Sequence, residues 1–128
     1  MIEEVKLREC TTDLHLLLTP QQWVAVHEAL SANTCAGVEI SAVYAQELSF
    51  ACEPDNMLVT QFEQQEGRVP LAELLHRVVV LSKTSRGLKD LTLAIVEVIA
   101  TTVDSHLYWY GTSSLGHSDP YSASACSL

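Results

Sequence analysis

A chain of 128 residues with 48% hydrophobic residues, five glycines and four prolines fits one folded domain and excludes disorder over most of its length. Seven Lys and Arg against 16 Asp and Glu give a formal net charge of -9, which works against non-specific nucleic-acid binding, because neutralising phosphates takes a basic surface. The cations are also segregated: no Lys or Arg lies between Glu9 and Gly67, whereas Arg68, Arg77, Lys83, Arg86 and Lys89 fall within residues 68–89.

At the N-terminus, MIEEVKLREC carries acids where a secretory leader would be basic, and no apolar run follows, so no signal peptide is visible. The longest weakly polar run, LTLAIVEVIATTV, contains Glu97 and is shorter than the roughly 20 residues that cross a bilayer. It predicts a buried helix. Cys10, Cys35, Cys52 and Cys126 are widely scattered, three of them in settings typical of small buried thiols, which reads as a reducing compartment, and the expected location is cytoplasmic.

The apolar positions Leu7, Cys10, Leu14, Leu17 and Leu18 share one face of a first predicted helix. Thr19, Pro20 and Gln22 then form a Thr-x-x-Gln capping box with proline at the first helical position, so a second helix starts at residue 20 and buries Trp23, Val26 and Leu30. Residues 38–52 are ambiguous. Val38, Ile40, Ala42 and Tyr44 alternate as a strand does, but a lone strand has no evident partner, so Ile40, Val43, Tyr44, Leu48 and Ala51 are assigned to a third helix.

A fourth helix carries Leu58 and Phe62 and ends at Gly67, which suits a left-handed position, and Pro70 opens a fifth whose face is Leu71, Leu74, Leu75, Val78 and Val79. After SKTSRG, a sixth helix is marked by Leu88, Leu91, Ile95, Val98 and Ile99. HLYWY extends that helix or folds back on the core, and the Ser- and Gly-rich end reads as a flexible tail. The expected organisation is an all-α, antiparallel six-helix bundle over residues 1–104 and a flexible tail over 105–128.

Chemistry is sparse. His15, His27, His76, His106 and His117 form no Cys-x-x-Cys, His-x-x-x-His or Glu-x-x-His arrangement with one another or with the cysteines, so no metal is expected. No Gly-x-Ser-x-Gly elbow or phosphate-binding glycine loop occurs, and Cys35 beside an alanine and near Gly37 reads as a loop thiol rather than a nucleophile. Glu63 and Glu66 share a helical face and read as solvated acids. The expectation is a non-enzymatic protein without a cofactor.

With LHLLLTP, WVAVHEAL, DNMLVTQFEQQEG, VPLAELLHRVVVL and SRGLKDL in this order, residues 5–100 resemble the death domain, an antiparallel six-helix, Greek-key-like bundle. Within that superfamily the chain looks most similar to adaptors and kinases of Toll and interleukin-1 receptor signalling. The resemblance implies homotypic association with death-domain adaptors, receptors or kinases, and with itself, to build or cap an innate-immune or apoptotic complex. Its protein-binding surfaces are then an acidic one at Glu53, Asp55, Glu63 and Glu66 and a basic one at Arg77, Lys83, Arg86 and Lys89, without nucleic acid or membrane insertion.

Acidic and basic patches on different faces permit head-to-tail assembly. An alternative is an unrelated small helical scaffold that dimerises through an apolar face. A remoter one is a metal-dependent enzyme using His76 or His106 with cysteines.

Overall fold

A computed structural model describes residues 7–32, 35, 37–48, 57–70, 73–104 and 106–117. Its elements in chain order are β1 (Arg8–Leu18), α1 (Pro20–Ser31), β2 (Val38–Leu48), α2 (Met57–Glu66), β3 (Leu74–Thr84), α3 (Leu88–Val103) and β4 (Trp109–Leu115). The strands make one sheet in the order β2-β3-β1-β4, with every neighbouring pair antiparallel. Each of the units β1-α1-β2 and β3-α3-β4 therefore leaves a one-strand gap, and a strand of the other unit fills it. This is the interleaved split βαβ arrangement of ferredoxin-like sheets, with α2 as an addition.

The central strands β1 and β3 bury apolar side chains on both faces in the runs Leu16–Leu18 and Val78–Val80. On one face Cys10, Leu14, Leu16, Leu18, Val78 and Val80 pack with Val26 and Leu30 of α1 and Leu91, Ile95 and Ile99 of α3. On the other, Leu17, Leu48 and Leu75 meet Leu58 and Phe62 of α2 and Tyr108. Farther along this second face Arg77 holds Asp13 through an ion pair of 2.8 Å, and His15 stacks on Tyr110 with ring centroids 4.6 Å apart.

The all-α six-helix bundle is thus corrected to a mixed α/β fold. Its predicted first and fifth helices are β1 and β3, whose two-sided burial puts apolar residues at consecutive positions and hides the two-residue period. The alternation at Val38–Tyr44 is a real strand signal, and the partner that was missing is β3. A death domain has no central sheet, so that resemblance fails. The homotypic death-domain partners and the innate-immune and apoptotic roles rested on that resemblance and lose its support.

The proposed tail beginning at residue 105 also changes, since Trp109–Leu115 forms β4. Residues 118–128 lie outside the described residues. Pro70 does not open a helix, because the next described element is the strand β3.

Other local signals hold. Thr19 Oγ1 accepts from the Gln22 backbone N–H at 3.1 Å, and Gln22 Oε1 accepts from the Thr19 N–H at 2.9 Å, closing the capping box. Gly67 follows α2 with φ of +71°, the region that favours glycine. The sixth predicted helix is α3, with Leu91, Ile95 and Ile99 buried. Among the described residues, no helix is long and apolar enough to cross a membrane.

Candidate functional site

A four-stranded open sheet has two edges, and each must dispose of a row of backbone N–H and C=O groups. At β2 the row is interrupted: the pairing with β3 shifts between Ile40 and Ala42, leaving Ser41 as the extra residue of a bulge. The exposed carboxylates Glu39 and Glu47 stand near the two ends of this strand. Bulge and charge both oppose pairing with another strand.

At β4 neither device is present. The pairing of Cys10–Leu16 with Trp109–Leu115 runs without a shift, and no Asp, Glu, Lys, Arg or Pro occurs from Leu107 to Gly116. The hydrogen bonds locate the free groups. Leu17 N–H donates to Tyr108 O at 3.1 Å and Gly116 N–H to Glu9 O at 2.7 Å, so the β4 residues opposite odd-numbered β1 residues are the ones bonded to β1. The backbone groups of Trp109, Gly111, Ser113 and Leu115 consequently point away from the sheet.

β4 is held firmly on its inner side. Ser113 Oγ lies 2.8 Å from Thr12 Oγ1 and 2.6 Å from Thr92 Oγ1, and Thr92 Oγ1 donates on to Leu88 O at 3.1 Å, tying the strand to β1 and α3. Gly111 sits so close to β1 that an added Cβ would collide with Asp13 O and lie 2.9 Å from Leu14 Cα. Alongside the free edge, α3 and β4 enclose a largely apolar groove of about 350 Å³ lined by Leu88, Lys89, Thr92, Leu93, Trp109, Gly111, Thr112 and Ser113. Leu93 and Leu115 are 49% and 59% exposed, large apolar side chains left in water beside unpaired backbone.

The sequence-derived surfaces are dispersed by this fold. Glu63 and Glu66 are exposed on α2, and Glu66 Oε1 accepts from the Tyr108 hydroxyl at 3.0 Å. Arg77 belongs to β3 and is bound to Asp13, whose side-chain hydrogen bond raises the guanidinium pKa. Lys83, also on β3, sits between Glu9 of β1 and Glu39 of β2 in the pairing register. Arg86 lies in the turn before α3, where its carbonyl accepts from Arg8 at 2.8 Å. Lys89 alone of these lines the β4 groove. Glu53 and Asp55 lie outside the described residues.

Two further hollows hold polar groups. At the α2 end, Arg68 grips Glu73 at 3.2 Å while lying 4.8 Å from the Phe62 ring centroid, and His106 meets the Tyr108 ring edge-on. Burial and then the Glu66 hydrogen bond raise the Tyr108 phenol pKa, so it stays protonated at neutral pH. Between α1 and α3, Cys35 lines a hollow with Arg86 and Glu97. Burial raises the thiol pKa despite Arg86, which disfavours the nucleophilic thiolate. Among the described residues no group of three or more His, Cys, Asp and Glu is placed to hold a metal ion.

The β4 edge escaped sequence reasoning because its sequence divides in two: HLYWY reads as an extension of the last helix or a return onto the core, and the Ser- and Gly-rich GTSSLG reads as the start of a tail. Its signal was the uninterrupted absence of charge in a strongly acidic chain.

No protein-family model matches this sequence, and no curated protein does. A structural match is an unknown protein from Galdieria sulphuraria, with 11% sequence identity and a TM-score of 0.42, covering 89% of this chain. The match takes in 53% of that protein's chain, so this chain spans about half its length.

Proposed function

We propose that this chain is a non-catalytic protein-association domain that binds by taking an added strand along β4. The observation that carries the reading is the difference in protection between the edges: β4 presents four consecutive outward-facing backbone positions, uncharged and unbulged, beside an apolar groove. Main-chain hydrogen bonds to such an edge supply affinity, and side-chain pockets along alternate positions supply selection. The pairing of Arg68 with Glu73 and of Tyr108 with Glu66, and the raised pKa of the Cys35 thiol, support association over catalysis.

The test uses a fluorescent peptide with the sequence of residues 107–117 and dilute full-length protein. Anisotropy is expected to report binding to the parent chain and none to Leu115→Pro. Leu115 has an exposed side chain and an outward N–H, so proline removes an edge donor without touching the core. Equal binding by the two proteins, with matched circular dichroism and thermal unfolding, defeats the reading, as does absence of binding to the parent chain.

A further inference from the structure

We infer that the strand added at β4 is β4 of a second copy, the two strands running antiparallel about a twofold axis through Thr112, so that one continuous sheet crosses both chains. The inference rests on the strand-addition reading and names its partner.

Self-pairing is argued from register. The outward backbone residues are Trp109, Gly111, Ser113 and Leu115, and an axis at Thr112 sets Trp109 of one copy opposite Leu115 of the other and Gly111 opposite Ser113. Every outward residue then exchanges hydrogen bonds with an outward residue. Shifting the register by one step in either direction leaves a strand end unpaired. The same axis matches the side chains. Trp109 and Leu115 lie on the helix-bearing face, because they pair with the buried Leu16 and Cys10, so the two large apolar groups at opposite ends of the strand come together while the small pair fills the middle.

Charge permits this partner at β4. Two copies of a chain with net charge -9 repel, and β4 is the edge where they can meet without a charged residue between Leu107 and Gly116. The association also closes. A twofold contact uses the β4 edges of both copies, and the remaining β2 edges carry the bulge, Glu39 and Glu47, so the assembly stops at two chains.

The experiment reads both stoichiometry and register. Thr112 bonds to β1, so across the twofold axis it faces its own copy as a non-hydrogen-bonded pair with Cα atoms about 4.5 Å apart, within the span of a disulfide. Ser114 faces Tyr110, and the two Ser114 residues are about 14 Å apart along the strands.

In a background of Cys52→Ser and Cys126→Ser, Thr112→Cys is expected to cross-link into a two-chain species under mild oxidation. Ser114→Cys is expected to stay uncross-linked, and sedimentation of the untreated parent protein to give a two-chain mass. A one-chain mass throughout the micromolar range, a two-chain mass without the Thr112→Cys cross-link, or cross-linking by Ser114→Cys instead would each overturn the inference. The labelled peptide separates the two levels: if it binds the parent chain but not Leu115→Pro while the full-length protein is a monomer, the edge accepts a strand and the partner is not a second copy.

Discussion

The β2 and β4 edges belong to one sheet and face the same solvent, yet they manage exposed backbone in opposite ways. β2 is bulged at Ser41 and flanked by Glu39 and Glu47, whereas β4 is regular, uncharged and braced from behind by Ser113 and the close approach of Gly111. Protection costs a strand its regularity, so an edge left regular and rigid is one on which a partner strand can be seated without reorganisation. On the proposed reading, this contrast is what assigns association to β4 rather than to β2.

The strongest way to break the contrast is to loosen β4 from behind. Gly111→Ala drives a methyl group into the β1 backbone, and overpacking of this kind costs typically about 1–3 kcal/mol. Urea unfolding should show that loss, and the labelled peptide should bind more weakly because the seat itself has moved. Next is Ser113→Ala, which strips the hydroxyl joining the fully buried Thr12 to Thr92. Leaving a buried hydroxyl without its partner costs about 1–2 kcal/mol, and Thr12→Val in the same background should recover part of it.

These two variants also show how far the sequence could be read. The cap at Thr19, the left-handed Gly67 and the face of α3 depend on residues close together in the chain, and each was legible. The sheet was not, because the assignments were coupled: reading LLHRVVVL as a helix deprived Val38–Leu48 of the strand it pairs with. The candidate site was less legible still. Which β4 groups face outward depends on the bonds at Leu17 and Glu9, both about a hundred positions away in the chain, as is the neighbouring Thr11–Gly116 contact with its separation of 105 residues.

A smaller effect should distinguish the β2 side under acid. His76 is buried opposite Glu47, with Nδ1 3.0 Å from Leu74 O and its ring 5.8 Å from that of Trp23. Burial lowers its pKa, outweighing the Leu74 hydrogen bond and Glu47, which raise it. The unfolded chain therefore takes up this proton first as pH falls through about 6.5. Stability from this group is complete above that pH and lost below it. Urea midpoints measured from pH 7.5 to pH 5 should decline less steeply for His76→Phe, which keeps an aromatic ring beside Trp23.

The smallest effect on folding, and the sharpest on the comparison, is deletion of Ser41. The pairing of Ile40, Ala42 and Val43 with β3 survives it, so stability should move little, by about 0.5 kcal/mol as for most surface changes. Glu39→Thr and Glu47→Thr then remove the remaining guards. Light scattering should find this triple variant growing beyond the parent's assembly size, and an unchanged size would mean that bulge and charge are not what keeps β2 unpaired.

The strand order has a consequence for synthesis. β1 pairs with β3 and β4, and β2 pairs with β3 alone, so neither early strand has a sheet neighbour until residues 74–84 have left the ribosome. The Asp13–Arg77 pair, separated by 64 residues, gives the scale of the loop that must close. Such topology folds slowly compared with helical bundles of similar size. Until β3 arrives, the apolar LHLLL of β1 has no sheet neighbour in the nascent chain, and exposed apolar segments of this kind favour aggregation over folding.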